Sequence, residues 1–107
     1  MDIKDLRYFV AVYEEHGFAR AGVLLDTVQS NVSARIRRLE LFLGVRLFER
    51  HRRGVVVTEK GEKLYRHAKR VIALLEETPA AVKGKEAASE KGVRTTFPAP
   101  PLPEMLF

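Results

Sequence analysis

The sequence predicts a mainly α fold: three short helices, a two-stranded β-hairpin and one long closing helix. Three observations carry the prediction. Apolar residues recur at helical spacing in four separate segments. Only Asp26 and Thr27 stand between the second and third segments, which leaves room for a tight turn and nothing more. Two β-prone runs flank His51-Arg52-Arg53-Gly54, with a glycine to supply the turn. Two helices joined so tightly form a helix-turn-helix, the arrangement that sends its second helix into a DNA major groove. The hairpin would stand beside them as a wing, giving a winged helix-turn-helix over residues 1–58.

Asp2 and Asp5 read as an N-cap with an acidic first turn, and Leu6, Phe9, Val10 and Tyr13 mark a buried face, so the first helix spans Ile3 to Glu15. Gly17 is placed to end it in a left-handed conformation. Phe18 to Leu25 forms the second helix, where Ala21 and Gly22 are small enough for close helix approach. Gly22 costs about 1 kcal/mol relative to alanine inside a helix, which makes sense if packing demands it.

Thr27 reads as the N-cap of a third helix from Val28 to Leu43, ended by Gly44. Val28, Val32, Ile36, Leu39 and Leu43 recur at intervals of four, four, three and four as its buried stripe. Strands over Arg46–Arg50 and Val55–Thr58 make the wing, with Arg52 and Arg53 at its tip. Thr58 caps a fourth helix over residues 59–78 whose apolar row, Leu64, Ala68, Val71, Ile72 and Leu75, is too long for so small a domain to cover. The row is expected to pack on the same helix of a second subunit, the alternative being a helix folded back on its own core. Pro79 is expected to end it. Residues 79–107 are small and charged, then proline-rich, without usable periodicity, and read as a disordered tail. Its Pro98-Ala-Pro-Pro101 matches PxxP, a pattern too common to weigh.

Composition narrows the function. The 107 residues, 46% hydrophobic, suit one small domain with a modest core. With no cysteine, disulfides and thiolate zinc sites are excluded. No apolar run approaches the ~20 residues a bilayer requires, and the acidic start MDIKDLRYF is unlike a signal peptide, so the cytoplasm is the expected home. Residues 29–53 hold seven arginines against Glu40 and Glu49, which accounts for the whole net charge of +5. A solvated face is the ordinary meaning of such a block, but the absence of lysine favours phosphates and base edges, which the planar guanidinium meets bidentately. His16, His51 and His67 lack metal-ligand spacing, and neither a phosphate loop nor a nucleophile motif is present. No enzyme activity, cofactor or metal is expected.

The run from Phe18 to Glu77 closely resembles the DNA-binding half of LysR-type transcriptional regulators. The matching elements are Leu6, Phe9, Ala21, Leu25, Gln29, Ser33, Ile36, Leu39-Glu40, Leu43-Gly44, Leu47-Phe48 and Arg50, continued by Thr58, Gly61, Leu64 and Ala68. The resemblance covers residues 1–78 and implies a winged helix-turn-helix with a linker helix that makes the dimer. Gly17, Gly22 and Val28 stand where the family often has serine, alanine and serine. Members continue into an effector-binding domain of two α/β lobes, and residues 79–107 show none of its alternating strands and helices. A dimer without ligand response is the expectation.

In a major groove, the third helix would present Gln29 to adenine, Ser30 and Ser33 as donors or acceptors, and Arg37 to guanine or phosphate, since 29, 33 and 37 share one face. Thr27, Arg35, Arg38, Arg52 and Arg53 are the expected contacts to the DNA backbone, with ion pairing as the alternative for Arg35 and Arg38. Leu64, Ala68, Val71, Ile72 and Leu75 are the expected dimerisation residues. The function that follows is sequence-specific binding of a partly palindromic double-stranded site by a homodimer. The alternative is a protein that acts mainly by pairing with a full-length relative.

Overall fold

The computed structural model describes residues 1–84. Helices α1 (Ile3–Glu15), α2 (Phe18–Leu24) and α3 (Gln29–Leu43) precede an antiparallel hairpin of β1 (Phe48–His51) and β2 (Gly54–Val57), and α4 spans Glu59–Lys83. Residues 1–76 form one unit, and the turns of α4 from Glu77 onward belong to a second. The expected region of residues 79–107 falls outside the described residues from position 85 on, the PxxP match included.

Helix α1 begins on a reciprocal cap. The Asp5 amide donates to the Asp2 carboxylate at 2.8 Å, and the Asp2 amide donates to Asp5 at 3.1 Å. The helix ends on His16, not Gly17: His16 takes the left-handed backbone at φ 58, while Gly17 is extended and opens α2. A left-handed residue with a side chain costs about 1–2 kcal/mol, a strain His16 carries at an exposed position. Leu25 lies just past the end of α2 as its C-cap, and Asp26 makes the turn at φ 59. Gly22 is explained by this turn. A Cβ there would stand 3.0 Å from the Thr27 carbonyl oxygen, and the Thr27 amide donates to the Gly22 carbonyl at 2.8 Å.

Helix α3 seats its apolar row on α1 and α2, with Val32, Ile36 and Leu39 no more than 2% exposed. Two expectations at its start are corrected. Val28 is 63% exposed, because it is the N-cap residue with extended backbone (φ −97, ψ 156) and helical spacing does not yet apply to it. Thr27 therefore cannot cap α3; its hydroxyl oxygen accepts a bond from the Asn31 amide group at 2.9 Å instead. Gly44 closes α3 in the left-handed region at φ 72, as the sequence predicts.

The hairpin is shorter than expected and shifted. Its ladder pairs Phe48 with Val57, Glu49 with Val56, Arg50 with Val55 and His51 with Gly54, so only Arg52 and Arg53 remain in the turn. Arg46 and Leu47 lie outside β1 because other groups claim their backbone. The Glu40 carboxylate accepts from the amides of Leu47 at 2.7 Å and Phe48 at 3.2 Å, and the Thr58 hydroxyl donates to the Arg46 carbonyl at 2.7 Å. Thr58 also caps α4, accepting from the Gly61 amide at 3.0 Å. Gly61 is buried where a Cβ would collide with the Leu47 carbonyl oxygen and a Val57 methyl group, so the first turn of α4 can meet the wing only with glycine there.

The core gathers Phe9, Val12, Val32, Leu39 and Leu47, with Phe48 tilted against Phe9 (5.2 Å between ring centres) and edge-to-face with Phe18 (5.9 Å). Helix α4 joins this core rather than standing clear of it. Ala68 is fully enclosed, and Leu64, Tyr65 and Ile72 pack on the core residues. Polar contacts fasten the same face to α1. Tyr13 and Tyr65 stack at 3.7 Å, Tyr13 donates to Glu62 at 2.8 Å, and Tyr65 donates to Glu14 at 2.6 Å. These bonds to carboxylates hold both phenols above the usual tyrosine range, and the Tyr65 bond holds Glu14 below the usual carboxylate range.

Pro79 does not end α4. The helix continues to Lys83, and Gly84 follows with φ 84. Proline removes one donor, leaving the Leu75 carbonyl without its helical partner. Both residues are exposed, so solvent can take that carbonyl and the helix persists.

Candidate nucleic-acid interface

The face of α3 opposite Val32, Ile36 and Leu39 is open. Gln29, Ser30, Asn31, Arg37 and Arg38 are exposed along it, and Ser33 is half-buried. No side chain caps the helix start, so its first amides are left to solvent or to an arriving anion. The wing tip carries Arg52 and Arg53, both exposed. Among the described residues Arg37, Arg52 and Arg53 have no ion-pair partner, which leaves their positive charge unneutralised at the surface. The one carboxylate on α3, Glu40, is turned to the wing amides and is 18% exposed. An open helix face without a carboxylate, beside a cationic wing tip, favours a polyanion.

Not every arginine of the block belongs to that surface. Arg35 points inward, donating to Asp5 at 2.7 Å, with its guanidinium 4.9 Å from the Tyr8 ring centre and only 17% exposed. Its buried Nε has no hydrogen-bond partner among the described residues. Position 35 follows Val32 by three residues and precedes Leu39 by four, so it borders the buried row and can reach α1. Of the two roles expected of Arg35, the structure shows the ion pair, which braces α1 against α3. Burial raises the Asp5 pKa, but the bonds from Arg35 and the Asp2 amide, with the charges of Arg35 and the N-terminus, outweigh it and hold the carboxyl below its ordinary value of 3.8. Arg38 remains 69% exposed, 4.0 Å from Asp5.

Arg50, singled out in the sequence only as part of the family pattern, proves to be a junction. It donates to the Ser33 hydroxyl at 3.1 Å and lies 4.2 Å from the Phe18 ring centre, linking β1, α2 and the open face of α3. Strand alternation held a signal for it. Side chains two apart share a face, so Arg50 follows Phe48 toward the domain. A groove of about 900 Å³ runs beside it, lined among others by Ser33, Arg37, Leu41, Arg46 and Arg50.

The five residues expected to make a dimer divide in two. Leu64, Ala68 and Ile72, four residues apart, share one side of the helix and are taken up by the subunit's own core. Val71 and Leu75 are each 47% exposed, and Leu74, absent from the expected set, is 64% exposed. No helix among the described residues is long and apolar enough to cross a membrane, and no group of three histidine, aspartate or glutamate side chains among them could hold a metal ion.

A tight helix-turn-helix with an arginine-tipped wing and an open polar face on its second helix defines a winged helix-turn-helix DNA-binding domain. Residues 3–62 match the bacterial regulatory helix-turn-helix proteins of the lysR family, and the chain belongs to that family, whose members are transcriptional regulators rather than enzymes. It is 38% identical over 109 residues to the uncharacterized transcriptional regulator YusT of Bacillus subtilis, spanning 99% of this chain and 37% of YusT. With the transcriptional regulator BudR of Klebsiella aerogenes it shares 46% over 74 residues, or 69% of this chain and 52% of BudR. The chain thus spans about a third to half the length of these relatives. Two solved DNA complexes have the same fold. The CbnR DBD with DNA is 32% identical with a TM-score of 0.72, covering 82% of this chain and 99% of that one. The BenM DBD with benA site 1 DNA is 36% identical with a TM-score of 0.74, covering 78% and 93%.

Proposed function

We propose that this chain binds double-stranded DNA sequence-specifically as a homodimer and regulates transcription in the manner of its family, in the compartment that holds the chromosome. The observation that carries the reading is the carboxylate-free polar face of α3 beside the unpaired arginines of the wing. The likeness to the CbnR and BenM DNA complexes supports it. In this reading Gln29, Ser30, Ser33 and Arg37 face base edges in the major groove. Thr27, Arg38, Arg52 and Arg53 contact phosphates, Thr27 through a hydroxyl hydrogen left free by its bond with Asn31. We leave Arg35 out of this set because it pairs with Asp5.

The dimer would form on Val71 and Leu75, the two residues of the expected row that stay about half exposed. Two α3 helices related by a two-fold axis would read half-sites about a helical turn, or a multiple of it, apart. The same surface would serve equally in the second reading, pairing with a full-length relative.

Selection of bound duplexes from a random library tests the reading directly: a partly palindromic consensus is expected, and enrichment of no consensus would overturn it. On the selected duplex, Gln29→Ala should reduce affinity about 5- to 30-fold relative to random sequence. Arg52→Ala should weaken both duplexes alike and lower the salt slope by about 1. Equal losses on both duplexes for Gln29→Ala would remove it from the base-reading set.

A further inference from the structure

The Ser33 hydroxyl is one of the proposed base readers, and in isolation a hydroxyl is an ambiguous one. It has one hydrogen to donate and two lone pairs to accept with, so it could pair with either kind of base edge. Its neighbour removes the ambiguity. Arg50 has no acceptor and is charged at any working pH, so in the 3.1 Å contact the guanidinium must donate and the Ser33 oxygen must accept. No acceptor among the described residues takes the hydroxyl hydrogen in return, which leaves it available on the open side of α3.

The guanidinium is also held in place. It lies 4.2 Å from the centre of the Phe18 ring, and Phe18 is only 5% exposed, so a fixed aromatic face orients the charge beside Ser33. Arg50 pairs with Val55 in the hairpin ladder, which ties the position of the donor to the wing. A fixed cation at this distance polarises the hydroxyl toward donation and repels a second donor approaching the same oxygen.

We infer that Arg50 is a positioning residue that sets Ser33 as a hydrogen-bond donor, so that the base Ser33 reads must present an acceptor to the major groove. Guanine, with N7 and O6, fits best, and thymine O4 also fits. Cytosine, which offers only its N4 amino group there, is the base refused. The inference rests on the proposed placement of α3 in the major groove and adds to it the polarity of one contact.

The test begins with the selected duplex and its four variants at each base pair, titrated with the intact chain. Ser33→Ala should flatten the preference at one base pair, identifying the position read. At that pair the intact protein should disfavour cytosine about tenfold, and Arg50→Met should reduce this to about twofold while leaving preferences at the Gln29-dependent pair unchanged. In the double variant, Arg50→Met should add nothing at that pair. Arg50→Lys, which restores a charged donor, should recover part of the discrimination, a rescue that a purely structural role would not produce in the base preference alone. If Arg50→Met weakens every duplex equally, or relaxes a different base pair from Ser33→Ala, the inference is overturned while the DNA-binding reading stands. If the intact protein selects no sequence at all, it is that reading which fails.

Discussion

Helices α3 and α4 present the same kind of apolar row in sequence, yet the fold treats them differently. On α3, Val32, Ile36 and Leu39 are all buried, and most of the opposite face is exposed, with Ser33 held by Arg50. On α4, Ala68 is enclosed and Leu64 and Ile72 lean on the core, while Val71 and Leu75 stay about half exposed. The difference comes from length and anchoring. Helix α3 is crossed by α1 and α2 along its buried side, so its whole row finds partners within the subunit. Helix α4 is fixed at its start by Thr58 and Gly61 and along one side by the stacked tyrosines, and it outruns the domain that holds it. Periodicity says which face of a helix is apolar; it does not say what covers that face.

The largest effect should come from breaking the anchored end of α4. Gly61→Ala places a methyl group against the Leu47 carbonyl and Val57, where backbone cannot yield cheaply. A loss of about 3 kcal/mol in urea unfolding is expected; a variant as stable as the parent would mean that the first turn of α4 does not meet the wing as described.

On the open part of the α4 row, Val71→Asp together with Leu75→Asp should raise the dimer dissociation constant about 100-fold, close to 3 kcal/mol of association, by placing charge in an apolar contact. Sedimentation equilibrium reads this, and thermal unfolding should reveal a monomer that remains folded. An unchanged dimer would locate the interface elsewhere.

A smaller effect is expected at the brace that seats α3. Asp5→Asn leaves the Arg35 guanidinium only the Asp2 carboxylate, 4.0 Å away, as counter-charge and should cost about 2 kcal/mol near neutral pH. The sign of the pH dependence follows from the folded carboxyl lying below its ordinary 3.8. The stabilisation is fully present above the unfolded value and is lost as pH falls through the folded one. Parent and variant stabilities should therefore converge on acidification from about pH 5 toward pH 3; a gap that stays constant would assign the cost to packing instead of charge.

Much of the fold was legible because its signals are local. The Asp2 cap, the Gly44 stop, the helix-turn-helix spacing and the Thr58 cap each depend on residues within a turn or two. The misreadings share a cause as well. Gly17 was the natural left-handed residue, but His16 took that role; Thr27 was the natural cap, but Val28 stands at that position; Pro79 was the natural stop, but the lost hydrogen bond faces solvent. Intrinsic preferences of about 1–2 kcal/mol are readily overridden by the path that packing imposes.

The candidate site divides along the same line. The sequence by itself determined that a basic, arginine-rich face lies opposite the apolar row of α3, because helical periodicity alone sorts those residues. Only the tertiary structure decided which arginines remain free to meet DNA. Arg35 faces Asp5 across 30 positions of chain, and Arg50 meets Ser33 across 17, so neither pairing leaves a periodic trace. Charge is a property of the residue, but its availability depends on which carboxylate, ring or hydroxyl the fold brings within hydrogen-bonding distance.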